Sequence, residues 1–209
     1  MNSESMSAAD HASRQLARMR AMIGMYHRLF FNDVRTVLLV VVGLLALGWS
    51  GIPQLFLVVP FVCLWGATQT AFDASYLIMA RHYAEALEGF LNDRGADGVL
   101  VGADLENAYL FPLRERKVVT VPIGGSWSWF SFMTMSITAN GVWAAVVGLW
   151  AGWATLLELG TAARSAYLVV LGVFVVASLA MGVWWFVGGV GERRLTAVLD
   201  RRFAGLPGT

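Results

Sequence analysis

Apolar and polar positions alternate along this chain in long blocks. No Asp, Glu, Lys or Arg occurs in residues 36–72, 118–157 or 165–191. An α-helix rises about 1.5 Å per residue and the hydrocarbon core of a bilayer is roughly 30 Å thick, so about 20 apolar residues make one crossing. The first window has room for two crossings, and Ser50-Gly51-Ile52-Pro53 supplies the Gly and Pro of a tight turn between them. Four spans are predicted, over residues 34–49, 55–76, 127–150 and 166–190.

Helical periodicity continues outside these windows. In residues 7–30, Leu16, Met19, Ile23, Tyr26 and Phe30 recur at three- and four-residue steps, while His11, Arg14, Arg18 and Arg28 lie off that stripe. Ser7 and Asp10 have the spacing of a capping box. Such a basic amphipathic helix suits the anionic surface of an inner leaflet, or a partner helix. Past Asp73 there is no Gly before Gly89 and no Pro, so the second helix should leave the membrane and continue for about three or four turns. Arg81 and Glu85 have the i,i+4 spacing of a pair on its wet side. Tyr83, Leu87 and Phe90 continue an apolar stripe there and are the candidate partner-binding surface. In the central loop, Tyr109-Leu110-Phe111 and residues 117–121 suggest a small β-hairpin around Arg114-Glu115-Arg116, with Pro112 confining it to an edge. Leu195, Val198, Leu199 and Phe203 give the C-terminus a second amphipathic helix.

The expected fold is therefore all-α and integral to the membrane. It is a four-span antiparallel helical bundle with cytoplasmic amphipathic helices and a possible small β-hairpin. Its segments are an N-terminal amphipathic helix (1–32), a first transmembrane hairpin with a helical extension (33–94), a cytoplasmic loop (95–124), a second hairpin (125–191) and a C-terminal amphipathic helix (192–209).

Composition supports this and excludes other classes. Hydrophobic residues are 57% and charged residues 14%, where a soluble domain carries nearer a quarter charged, and mean hydropathy is +0.62. A disordered chain, a nucleic-acid binder and an ordinary soluble enzyme are excluded. Net charge is only +1, but its placement is informative. All the Lys and Arg residues except Arg164 fall in the N-terminal segment, the central loop region or the C-terminus. The positive-inside rule then puts both termini and the central loop in the cytoplasm. Trp49, Trp150 and Trp153 mark one membrane boundary and Trp127, Trp129, Trp184 and Trp185 the other, where an indole meets both lipid and water. Only Trp65 and Trp143 sit at depth. A signal peptide is not expected, since the first apolar run begins only after Arg35.

Polar residues at membrane depth are the candidates for function. Gln69, Asp73 and Tyr76 on the second span, with Thr134, Thr138 and Asn140 on the third, outline a shared polar face that would conduct, bind or only pack. Ala144, Gly148 and Gly152, with Ser178 and Gly182 on the fourth span, have the spacing of helix-packing small residues. Gly124-Gly125-Ser126 and the Arg114, Arg116, Lys117 cluster are weaker anion-binding candidates. Cys63 is the only cysteine and reads as a small buried hydrophobe. No catalytic motif and no metal-ligand spacing is present, so no catalytic residue, metal or cofactor is expected. The expectation is a non-enzymatic multi-pass protein of the cytoplasmic (cell inner) membrane. It would act as an oligomeric pore or transporter, or as a subunit or scaffold of a membrane complex. Its partners would be the lipid bilayer and further copies of itself or another membrane protein, with no nucleic acid. The alternative is an enzyme or carrier acting on a lipid or isoprenoid at the inner leaflet, with Asp73, His82 and Glu85 in acid–base roles.

Overall fold

The structure, a computed structural model, describes residues 8–96, 98–110, 117–118, 121–122 and 129–203. Among the described residues, four helices are long and apolar enough to cross a membrane. Helix α1 (Ala8–Trp49) is a single rod of 42 residues, about 63 Å long at the usual rise. The amphipathic N-terminal segment and the first apolar run are therefore one helix, which follows from the absence of any Pro between them. A turn with Gly51 at φ +120 and a 3-10 segment (Pro53–Leu57) reverse the chain into α2 (Val59–Leu91), which returns along α1. A π-turn (Asn92–Ala96) ends α2, and the Asn92 side chain fastens the following loop. Its amide donates to the Leu100 carbonyl (2.9 Å), and the Leu100 N–H donates to its oxygen (3.1 Å).

A short helix α3 (Gly102–Leu105) and a π-turn (Glu106–Leu110) follow. Tyr109 and Leu110 are thus helical, not extended. The strand partner of β1 (Lys117–Val118) is β2 (Val121–Pro122), antiparallel, with Val118 opposite Val121. Helix α4 (Trp129–Ala151), a short α5 (Trp153–Glu158), α6 (Thr161–Gly182) with a terminal π-turn (Val183–Val187), and α7 (Val190–Phe203) complete the chain. Gly189, at φ +61, makes the break between that π-turn and α7. Ser7, Phe111, Pro112, Arg114, Arg116, Gly124, Gly125, Ser126 and Trp127 lie outside the described residues.

The α1–α2 seam is the core. Far from the turn it is apolar: Ala12, Leu16 and Met19 of α1 bury against Ala84 and Leu87 of α2, with Phe203 of α7 packed on the cluster. The amphipathic stripe of the N-terminal segment therefore faces this chain's own second helix instead of a membrane surface. In the middle, Tyr26 and Tyr76 stack with ring centres 4.8 Å apart. Near the turn the backbones approach at glycines. A Cβ on Gly66 would stand 2.7 Å from Val37, and one on Gly48 would stand 2.6 Å from the Phe56 ring.

Helix α4 packs on the start of α2 in the same way. A Cβ on Gly148 would meet Val59 at 2.7 Å and the Phe56 carbonyl at 3.0 Å; one on Gly152 would meet Leu57 at 2.8 Å. Helix α6 touches α2 through Tyr167, whose hydroxyl donates to the Leu57 carbonyl (2.9 Å), and through Tyr167 and Phe174 ring contacts with Phe61. Within α6 only Leu171 is buried.

Candidate functional site

The polar groups gather at two levels of the α1–α2 seam. The first level is set by Asp33 and Asp73, which flank the charge-free window and stand equally far from Pro53, so a hairpin folded there brings them side by side. Asp73 is only 3% exposed, its Oδ2 has no hydrogen-bond partner among the described residues, and the Asp33 carboxylate lies near enough to act on it through its charge. Tyr76, one turn on, stacks on Tyr26 and meets Phe72 edge-on at 4.9 Å. Asp73 and Tyr76 thus face α1, not α4.

Two α4 members of the anticipated polar face, Thr138 and Asn140, bond within their own helix instead. Both are exposed: the Thr138 hydroxyl donates to the Thr134 carbonyl (2.9 Å) and the Asn140 amide to the Ser136 carbonyl (2.8 Å). Thr68, Thr70 and Ser75 of α2 bond back in the same way. This is the local solution open to any Ser or Thr in a helix that finds no partner across the interface. Gln69 is half-buried on α2.

The second level is an ion-pair lattice at the open end of the hairpin. Arg20 of α1 pairs with Glu88 of α2, whose second oxygen accepts the Ala103 N–H (2.8 Å). Arg81 pairs with Glu106 (3.3 Å). His82 stands 3.9 Å from Glu85 and, through Nε2, 3.4 Å from Glu192 of α7. Arg81 and Glu88 are both buried, so each needs its partner. The cavity among Arg20, Arg81, Glu88 and Glu106 is about 10 Å³, room for a single water at most. His27, beside this lattice, is held below the ordinary histidine range by burial and then by the Arg81 charge, with Glu106 pulling the other way.

The lattice clamps α1, α2, α3 and α7 together and offers no space for a substrate. Nor do Asp73, His82 and Glu85 form a site: nine residues of helix separate Asp73 from His82, about 13 Å. No set of three or more metal-ligating side chains occurs among the described residues. The stripe Tyr83, Leu87 and Phe90 is occupied by the chain itself. Leu87 is buried against α1, and Tyr83 and Phe90 meet the Phe203 ring at 6.4 and 6.1 Å. Of the small residues, Gly148 and Gly152 pack tightly, whereas Gly182 has open space beside it.

Sequence reasoning missed Asp33, the Arg20–Glu88 and Arg81–Glu106 pairs, and the glycine contacts at Gly48 and Gly66. Counting outward from the turn at Pro53 would have found the first two of these: Arg20 and Glu88, like Asp33 and Asp73, stand almost equally far from it. No protein-family model matches the chain, and no curated protein and no solved structure gives a significant match.

Proposed function

We propose that this is a non-enzymatic multi-pass membrane protein, inserted in the cytoplasmic membrane by α1, α2, α4 and α6 as a four-helix bundle with both termini cytoplasmic. It serves as a subunit or scaffold that assembles laterally with further copies or with another membrane protein. One observation carries the assembly part. Asn140, eleven residues from the end of α4, is exposed on a helix that would place it near the bilayer midplane. Its amide makes one bond, to its own helix, and an amide facing hydrocarbon is costly. Trp143 (69% exposed) and Trp65 (62%) likewise present indole N–H groups at depth. A neighbouring polypeptide supplies the acceptors that acyl chains lack.

Asn140→Leu tests this. Interhelical polar contacts in membranes are worth about 0.6–2 kcal/mol, so the dissociation constant of the assembly should rise roughly 3- to 30-fold. The readout is energy transfer between labelled copies, or co-purification of a native partner, in lipid vesicles. A wild-type chain that stays monomeric and partnerless, or an Asn140→Leu chain that associates unchanged, sinks the reading. The pore or transporter version needs Thr134, Thr138 and Asn140 of several copies around one axis. Ion flux in vesicles that disappears with Asn140→Leu would establish it.

A further inference from the structure

A shallow, open depression of about 280 Å³ lies on α1, lined by His27, Arg28, Phe31, Asn32 and Arg35. It ends one residue below the charge-free window. Arg28 and Arg35 are seven residues apart, two turns of one face, and both are exposed. Neither makes an ion pair among the described residues, whereas Arg20 and Arg81, on the seam, are both paired. The Arg28 Nε donates to the Gly24 carbonyl (3.2 Å), which fixes the guanidinium against the helix and leaves its terminal nitrogens for another acceptor. The Phe31 ring forms an apolar wall, held edge-on by His27 (4.8 Å) and Phe30 (5.5 Å). The same helical face continues away from the depression as Leu38, Leu39 and Val42, all more than half exposed. A shallow basic depression thus meets an uncovered apolar stripe on one face of one helix.

We infer that this face binds one anionic phospholipid, its phosphate between Arg28 and Arg35 and its acyl chains along Leu38, Leu39 and Val42. The site rests on the membrane reading, because only an inserted α1 brings the depression to headgroup level. Both guanidiniums can donate to phosphate oxygens, and the Asn32 amide is a further polar group at the headgroup. A zwitterionic lipid offers the same phosphate but brings an ammonium into a depression already holding two cations, so selectivity for net negative charge follows. Free phosphate makes the same polar contacts and gains nothing from the apolar stripe.

The full chain in neutral detergent, exposed to equal amounts of phosphatidylglycerol and phosphatidylcholine, should retain one phosphatidylglycerol in native mass spectra. Inorganic phosphate at the same concentration should neither bind nor displace it. Each arginine near an anionic surface is worth about fivefold in affinity, so Arg28→Gln with Arg35→Gln should weaken retention roughly 30-fold. Arg201→Gln with Arg202→Gln, the same charge change on α7, should not. Equal retention of both lipids, displacement by phosphate, or a double variant that binds like the wild type would overturn the site, and the first two readouts need no variant to fold. Alkaline carbonate separates the underlying reading. Release of the wild-type chain would overturn membrane insertion and this site with it, while a carbonate-resistant chain with no phosphatidylglycerol preference overturns the site alone.

Discussion

Replacing Gly66 by Ala tests whether α1 and α2 meet in the register described. The added Cβ would stand 2.7 and 2.8 Å from the two γ-carbons of Val37 and 3.3 Å from its Cβ. Non-bonded carbons rest about 3.5–4.0 Å apart, so something must move by close to 1 Å. Val37 cannot simply swing away, because a valine in a helix holds one χ1 rotamer about 90% of the time. Overpacking of this kind costs about 1–3 kcal/mol. Ala is also the better helix former by about 1 kcal/mol, which would mask part of that cost. Gly43→Ala supplies the correction, since Gly43 is also mid-helix and has nothing within 4 Å of its added Cβ. The difference between the two variants is then the clash alone, about 1–3 kcal/mol. Reversible unfolding in mixed micelles, followed by the fluorescence of the 9 Trp residues, reads it. Val37→Ala should restore most of the loss when combined with Gly66→Ala, a coupling that a double-mutant cycle isolates. If Gly66→Ala and Gly43→Ala are equally stable, or if Val37→Ala gives no rescue, the seam is not packed at these residues.

Three further outcomes are expected. Glu88→Ala leaves both Arg20 and the half-buried Ala103 N–H without their acceptor and should cost about 1–3 kcal/mol in the same unfolding measurement, with Glu88→Gln intermediate. His27 is held below its ordinary pKa in the folded chain, so the unfolded chain binds the proton more readily; its contribution is intact above the ordinary histidine value and is lost as pH falls below it. The wild type should therefore lose more stability than His27→Gln between about pH 7 and pH 5. In a Cys63→Ala background, a cysteine at Ser50 should react with an impermeant maleimide from the periplasmic side of intact cells, and one at Asp93 only after permeabilisation; the reverse pattern would invert the proposed orientation.

The helices were legible because their signal is one-dimensional. A charge-free run of sufficient length, broken by Ser50-Gly51-Ile52-Pro53, yields two apolar helices and a turn without any knowledge of tertiary contacts. The continuation of α2 to Leu91 was legible for the same reason, from the absence of Gly and Pro. What covers each face was not legible. Leu16 and Met19 form the same stripe whether they meet lipid, a partner or Leu87. The Tyr83–Phe90 stripe implies an external surface only if the N-terminal segment is a separate element; with α1 one rod along α2, Leu16 and Met19 cover Leu87, and Phe203 of α7 meets Tyr83 and Phe90. The placement of Asp73 away from α4 has a related reason. Depth along a helix can be counted from a sequence, and so Asp73 and Thr134 could be assigned a level, but azimuth depends on which neighbour packs closest. The α1–α2 seam took Asp73, and the glycines at 148 and 152 fixed α4 against the opposite end of α2.

The four apolar helices are also not equivalent, and in the proposed membrane setting the difference would separate lipid-facing from protein-facing surface. Helix α6 buries only Leu171, yet its exposed residues Val173, Val176, Leu179 and Met181 are uniformly apolar. In the proposed membrane setting, acyl chains would satisfy such a face and α6 would need no partner. Helix α4 is nearly as uncovered but exposes Asn140 and Trp143. Under the proposed assembly its polar groups would gain from a second polypeptide, which lipid would not replace. If that distinction holds, adding bulk to α6 should leave assembly alone. Val176→Trp, on its exposed side, should associate like the wild type in the energy-transfer assay that Asn140→Leu weakens. An assembly broken by Val176→Trp and indifferent to Asn140→Leu would place the interface on α6 and refute the argument from polar exposure.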